Sequence, residues 1–267
     1  MLKDITIGQY FPGNSLVHRL DAAVKIILTI VFIVMIFAAD TAVSMLMCVV
    51  FLIVSYALTR LSPKLIIKSF KPVVPVLIIT AVLNVFFFDG DVIFKLWFLE
   101  ITDDGLKNAA FMLVRVIALI TGSSILTYTT SPIELTNASE KLMSPLKKFK
   151  FPVHELAMMM TIALRFVPTL IEETDKIISA QKARGADFEN GKLIDRARAV
   201  VPVIIPLFVS SFRRAEELAL AMECRCYRGG DGRTKLKMTS VKPIDIVAVI
   251  VTLTVFVGVI SVNILLK

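Results

Sequence analysis

The feature that most constrains this chain is the length of its apolar runs. Residues 22–58 are interrupted only by Lys25 and Asp40, so the run is 37 residues long. As one helix it would measure about 56 Å, nearly twice the roughly 30 Å of a bilayer's hydrocarbon core. We therefore predict two antiparallel membrane-spanning helices that turn at Asp40.

Three further runs are long enough to cross a bilayer: residues 72–88 with a kink at Pro75, residues 108–131 with Arg115 inside, and the uncharged residues 246–266. The chain is 56% hydrophobic and 19% charged, against about 45–50% and about 25% in soluble domains. These values disfavour a soluble enzyme and, despite a net charge of +8, a nucleic-acid binder. The fold class predicted is an all-α integral membrane protein with about five to six transmembrane helices.

Basic residues predict how the chain crosses the membrane, because Lys and Arg accumulate in short cytoplasmic loops. Residues 59–71 hold four basic side chains and no acid, whereas residues 89–108 hold five acids and two lysines. This places the N-terminus and residues 129–242 in the cytoplasm and the C-terminus outside. Residues 92–99 could also dip into the outer interface with Trp97 as an anchor.

This orientation divides the chain into three regions. Residues 1–130 form a membrane region of about four spans, residues 131–241 a cytoplasmic region, and residues 242–267 a last transmembrane helix. The cytoplasmic region holds two apolar stretches, residues 156–170 and 199–212. The second would measure about 21 Å as a helix, too short to cross a bilayer unaided. It is either a buried helix of a cytoplasmic domain or a helix along the inner membrane face that offers apolar surface to a partner.

Each apolar stretch leads into a charged helix that ends near an arginine, Arg184 or Arg225. Gly185 suits a helix stop because glycine accepts the left-handed backbone conformation found there. Helical spacing gathers five residues of the second helix on one face: Phe208, Phe212, Ala215, Ala219 and Met222. Methionines such as Met158 and Met159 repack readily, so both helices suit either core packing or an adaptable contact surface.

Several segments in order carry a resemblance to a known family. They are residues 10–21 (YFPGNSLVHRLD), 129–132 (TTSP), 152–155 (PVHE), 163–168 (ALRFVP), 180–188 (AQKARGADF) and 221–230 (AMECRCYRGG). In these segments the chain resembles the transmembrane (T) component of energy-coupling-factor transporters. The last segment departs from the family pattern, since Cys224 and Cys226 stand where alanine and glycine are usual.

The resemblance implies a mechanism, because the family's T component joins two cytoplasmic ATPase subunits to a membrane-embedded S component that binds a vitamin-type micronutrient. It implies a multi-pass protein of a prokaryotic cell membrane that binds no cofactor itself, with ATP and Mg used by the partner ATPases. The implied ATPase-coupling residues are Ala183, Arg184, Gly185, Cys224, Arg225 and Cys226. Contact with the S component, or packing between helices, is implied for Met158, Met159, Phe208, Phe212, Ala215, Ala219 and Met222.

Two other classes of function compete with this interpretation. A membrane-embedded enzyme would need clustered catalytic groups, but His18 and His154 are the only histidines and no Gly-rich phosphate-binding loop occurs. We therefore expect no catalysis, and the cysteines are too poorly spaced to predict a metal site. A self-sufficient carrier or channel without ATPase partners is the remaining alternative. Arg115 either snorkels outward or lies inside the helix bundle, and an arginine within the membrane is a functional candidate.

Overall fold

The structure is a computed structural model that describes residues 10–87, 92–96, 99–188, 193–229 and 242–266. These ranges contain one short antiparallel hairpin, β1 (Val92–Leu96) with β2 (Leu99–Thr102), and a 3₁₀ helix, Ser144–Phe149. The rest of their regular structure is α-helix: α1 (Ala22–Ala38), α2 (Ala42–Thr59), α3 (Pro63–Phe70), α4 (Val74–Phe87), α5 (Asp103–Thr129), α6 (Pro132–Met143), α7 (Val153–Ala183), α8 (Leu193–Cys224) and α9 (Pro243–Leu265).

The predicted fold class, an all-α integral membrane protein, is confirmed, with the hairpin as its one addition among the described residues. Four helices are long and apolar enough to cross a bilayer, namely α2, α5, α7 and α9, and the bent pair α3–α4 makes a fifth. Helix α1 is also apolar but has 17 residues. Inclusion of α7 was not expected, because its residues belong to the region predicted to be cytoplasmic. The predicted role of Trp97 falls outside the described residues.

The turn predicted at Asp40 is confirmed, since α1 ends at Ala38 and α2 begins at Ala42. Side chains at both helix starts satisfy backbone N–H groups. The Asp21 carboxylate accepts from the Ala23 amide at 2.8 Å, and Thr41 forms a capping box with Ser44. Capping therefore explains why the long apolar run divides where its polar residues occur.

The third span bends earlier than predicted. Helices α3 and α4 meet at an angle of 64°, and the break lies at residues 71–73. Pro72 lies in this break, whereas Pro75 occupies the first turn of α4, where proline costs no hydrogen bond. The predicted kink at Pro75 is therefore wrong in position. Pro75 fits into the first turn of α4 without bending it, and the bend occurs at Pro72.

The chain divides into two compact units. One comprises Gly8–Ala138 and Thr239–Lys267, and the other Met1–Ile7 and Ser139–Met238. The first unit holds a buried core contributed by four helices, α1, α2, α5 and α9. Its members are Phe32, Met35, Ile36, Ala39, Cys48, Leu52, Ala118 and Val259.

Close helix packing in the first unit depends on a glycine of α5. A β-carbon built at Gly122 would overlap the ring of Phe32 on α1. No other residue lets two helix backbones approach this closely without displacing that ring. Gly122 thus fixes the distance between α1 and α5.

Buried polar groups tie the helix ends of the first unit together. Lys25 Nζ donates to the Thr129 carbonyl at the end of α5 at 2.8 Å. The Asp245 carboxylate, 1% exposed, accepts from the Asp21 amide at 2.9 Å and from the Lys242 amide at 2.7 Å. Each bond satisfies a group that a helix end would otherwise leave unpaired.

Arg115 lies inside this unit rather than snorkelling outward. Its Nη2 donates to the Ala39 carbonyl at 2.8 Å, and its guanidinium carbon lies 5.9 Å from the centre of the Phe37 ring. Both contacts are at the C-terminal end of α1, where the helix dipole favours a cation. The structure thus decides between the two positions considered for Arg115 and gives the residue a role in holding α1 to α5.

Candidate coupling surface

The end of α7 forms a hydrogen-bonded helix stop. The Ala186 amide donates to the Gln181 carbonyl at 3.0 Å, and the Gly185 amide donates to the Lys182 carbonyl at 3.0 Å. Gly185 has φ +89, as expected for the left-handed position of this Schellman arrangement. Arg184 is the last residue before that position.

The end of α8 repeats the same arrangement. The Tyr227 amide donates to the Met222 carbonyl at 3.0 Å, and the Cys226 amide donates to the Glu223 carbonyl at 2.8 Å. Cys226 takes the left-handed position with φ +55, although it has a side chain. The helix therefore ends with the same hydrogen bonds although a cysteine stands at this position. The left-handed backbone conformation costs free energy for a residue with a β-carbon, and glycine would avoid that cost. Arg225 again precedes the left-handed residue.

The six predicted coupling residues thus form two equivalent groups. Both groups are fully on the surface, since Ala183, Arg184, Gly185, Cys224, Arg225 and Cys226 are all exposed. Each arginine lies at a helix C-terminus, where its charge complements the partial negative charge of the free carbonyls. Sequence reasoning placed the arginines at the tips of helices, and the structure adds that both tips are closed by the same pair of Schellman hydrogen bonds.

The two tips lie at opposite ends of an antiparallel helix pair. A β-carbon at Gly229, just after α8, would lie 4.0 Å from Glu155 Oε1 near the start of α7, so Arg225 is near that start. Arg184 is at the other end of α7, a helix of 31 residues. At 1.5 Å per residue the arginines are on the order of 40 Å apart. Two partners can therefore be bound without competing for one place.

A polar contact joins the middle of α7 to α8. Glu173 accepts a hydrogen bond from Ser210 Oγ and pairs with Arg214, whose Nη2 lies 2.8 Å from Glu173 Oε2. Val203 on the same side of α8 is 5% exposed. These residues recur at helical spacing, so they define the face of α8 that packs on α7.

The opposite face of α8 is apolar and exposed. Phe208 is 62% exposed and Phe212 is 64% exposed, with their ring centres 5.1 Å apart. Ala215 and Ala219 continue this face, and Met222 at its edge is partly buried. The face also includes four residues that sequence reasoning missed, although the same i, i+3, i+4 spacing could have found them: Val201, Ile204, Ile205 and Val209.

The methionines predicted on α7 differ in exposure. Met159 is 54% exposed, while Met158 is partly buried. Among residues 156–170, the large apolar side chains that are exposed are those of Met159 and Met160. The contact roles predicted for both residues stay predictions.

The cysteines of the second tip are free thiols. Cys224 and Cys226 are exposed and Cys48 is buried. Within the described part of the chain, no three His, Cys, Asp or Glu residues come together in a way that could hold a metal ion. His154 instead contacts Glu140, with Nδ1 3.1 Å from Oε1.

Comparisons with known proteins agree over most of the chain. Residues 13–236 match the family described as CbiQ, cobalt transport protein. The chain is 51% identical over 250 residues to the energy-coupling factor transporter transmembrane protein EcfT of Clostridium kluyveri, covering 93% of both chains. It is 48% identical to the protein of the same name from Ruminiclostridium cellulolyticum, covering 94% of both. The Bacillus subtilis protein of that name is 45% identical, over 89% of this chain and 90% of its own length.

Proposed function

Because the chain belongs to the EcfT family of energy-coupling factor transporter transmembrane proteins, we propose that it is the coupling subunit of an ATP-driven importer. In this role it binds two cytoplasmic ATPase subunits and a membrane-embedded S component. It transmits the movement of the ATPases to the S component, which binds a vitamin-type micronutrient. ATP and Mg are used by the ATPases, and the chain itself catalyses no reaction.

The observation that carries the proposal is the matched pair of arginine tips. Arg184 and Arg225 occupy the same position in two helix stops of the same Schellman type, and both are exposed. An arginine presents five N–H donors in a planar fork, which suits carboxylates and backbone carbonyls in a groove. Two equivalent tips on the order of 40 Å apart suit two copies of one kind of groove, as two related ATPase subunits would offer.

The exposed face of α8 supports contact with the S component. Phe208 and Phe212 expose large apolar surface, and burial of such a side chain contributes about 1.5–3 kcal/mol. The face lies opposite the side that packs on α7, so a partner could cover it without separating the two helices. This arrangement lets one packed pair of helices bind ATPases at its ends and a membrane protein along its length.

The proposal includes the orientation predicted from the basic loops. The proposal takes α7 to lie on the cytoplasmic side and not to cross the bilayer, although its length and composition would allow a crossing. Both tips then lie in the cytoplasm, where ATP is available, and the C-terminal end of α9 lies outside. The four basic residues of 59–71 support this orientation.

The test is charge reversal at the tips. We expect Arg184→Glu and Arg225→Glu each to reduce the ATPase subunits that co-purify with the chain from membranes, and to reduce uptake in the same cells. The reason is that a reversed charge is repelled by the acceptors that an arginine would contact. Arg213→Glu is the matched control, because Arg213 is an exposed arginine of α8 away from both tips.

Membrane insertion of every variant is checked by the amount of full-length chain in the membrane fraction. Wild-type ATPase content and uptake in both tip variants would contradict the coupling role. Uptake by the chain expressed without any ATPase subunit would instead favour the self-sufficient carrier.

A further inference from the structure

We propose that residues 144–151, here called the Lys–Phe segment, bind the surface of an anionic bilayer with Phe149 inserted among the lipids. The sequence of the segment is SPLKKFKF. The inference is independent of ATPase coupling, and it concerns a part of the chain to which the proposed function gives no role.

The segment exposes apolar side chains that folding leaves uncovered. Every residue from 144 to 152 is exposed. Phe149 is 86% exposed, and Leu146 and Phe151 are 41% and 43% exposed. Single exposed apolar residues are ordinary on a protein surface, but here three occur within six positions, so exposed apolar side chains are concentrated in one short stretch of the chain.

Lysines alternate with the apolar residues. Lys147, Lys148 and Lys150 are all exposed, and the segment contains no acidic residue. Phenylalanine and leucine beside lysine is the composition of segments that lie in the membrane interface. Protein–protein contact surfaces are by contrast depleted in lysine. The charge pattern therefore favours an anionic lipid surface over a protein partner.

Phe149 is the last residue of an ordered turn. Residues 144–149 form a 3₁₀ helix with proline in its first turn, and Lys150 follows in the left-handed region with φ +60. The Lys150 amide donates to the Lys147 carbonyl at 3.0 Å and closes the turn. The aromatic ring is thus presented by an ordered turn, so little conformational entropy remains to be lost on insertion.

The short connection along the chain allows the segment to reach the membrane surface. Helix α5 ends at Thr129, and only α6, of 12 residues, lies between it and the segment. A helix of that length measures about 18 Å. Basic residues that reach the surface of the anionic cytoplasmic leaflet are attracted to it by about 1 kcal/mol each.

The test uses tryptophan fluorescence of the full-length chain reconstituted without other subunits. The chain has one tryptophan, so Trp97→Phe with Phe149→Trp reports only on the segment. Vesicles of phosphatidylcholine alone are compared with vesicles that also contain phosphatidylglycerol, each with and without brominated acyl chains. We expect blue-shifted emission and quenching by the brominated lipids in the anionic vesicles.

Charge variants test the cause of the binding. The triple variant Lys147→Gln, Lys148→Gln and Lys150→Gln should bind anionic vesicles through this segment about a hundredfold more weakly. Each lysine contributes about 1 kcal/mol of binding free energy, which is about fivefold in the binding constant. High salt should have the same effect by screening. Lys182→Gln, at an exposed lysine outside the segment, should leave the quenching unchanged.

Three results would overturn the inference. Solvent-like, unquenched emission in both kinds of vesicle would mean that the segment does not reach the lipids. Equal quenching with and without phosphatidylglycerol would remove the role of anionic charge. An emission shift that occurs only when an ATPase or another protein is added would make the segment a protein-docking surface. The first two results are obtained without ATPases, so they do not depend on whether the coupling role is correct.

Discussion

Replacement of Cys226 by glycine should stabilise the end of α8. Cys226 holds the left-handed conformation with φ +55, which costs an L-residue about 1–2 kcal/mol relative to the right-handed form. Glycine removes that cost but adds about 0.4–1 kcal/mol of unfolded-chain entropy. The net gain is about 0.5–1 kcal/mol, which is a two- to fivefold change in the local opening equilibrium.

The matched control is the same substitution two residues earlier. Cys224 is the last residue of α8 and is equally exposed. Glycine there weakens a helix by about 0.5–1 kcal/mol, so Cys224→Gly should favour opening by a similar factor. Both variants lose one exposed thiol, and thus the loss of the thiol cannot explain a difference in sign.

Hydrogen exchange measures this prediction directly, because it reports local opening of hydrogen-bonded amides. The informative amide is that of Tyr227, which donates to the Met222 carbonyl at 3.0 Å. After correction for intrinsic rates, its exchange should slow in Cys226→Gly and accelerate in Cys224→Gly. Gly185→Ala should accelerate exchange of the Ala186 amide at the other tip. Changes of the same sign in the two cysteine variants would refute the reasoning.

Two further predictions concern the first compact unit. Gly122→Val should lower the free energy of unfolding by about 1–3 kcal/mol, because the new side chain would force the Phe32 ring out of place. Gly258→Ala should lower it less, because its new β-carbon would lie 3.1 Å from the flexible end of Met47. Melting temperatures in detergent would rank the two, and an equal loss would argue against a packing cause. Asp245→Ala should lower the melting temperature, because it leaves two backbone amides unsatisfied at a cost of about 1–3 kcal/mol each. Asp245→Asn should recover part of the loss. Equal melting temperatures of the two variants would contradict the hydrogen-bonding role.

Much of the fold could be predicted because its signals are local. The break between α1 and α2 follows from the length of one apolar run and the polar residues at Asp40 and Thr41. Helix α3 was missed because Lys64 and Lys68 make the sequence after α2 resemble a loop. Three consecutive apolar residues, 65–67, lie between those lysines and Phe70 follows them, so eight residues are too few to show a helical period.

The candidate site was predictable in its residues but not in its geometry. A glycine after Arg184 indicates a helix stop, whereas Cys226 carries no such signal and only backbone hydrogen bonds show that it takes the same position. The contacts of Glu173 with Ser210 and Arg214 join residues 37 and 41 positions apart. Helical periodicity relates residues on one helix, so it contains no information about such a pair.

The matched helix ends have a consequence for symmetry. Two ATPase subunits of one kind form an assembly related by a twofold axis, while a single chain has no axis of its own. Under the proposed function, this chain would meet twofold partners by displaying one local shape twice, at Arg184 and at Arg225. The residues allowed at the two helix ends are then limited by the backbone conformation that each must adopt, and the two sequences need not be the same. Position 226 is an example, since the cysteine there adopts the left-handed conformation with φ +55 that a glycine would also adopt.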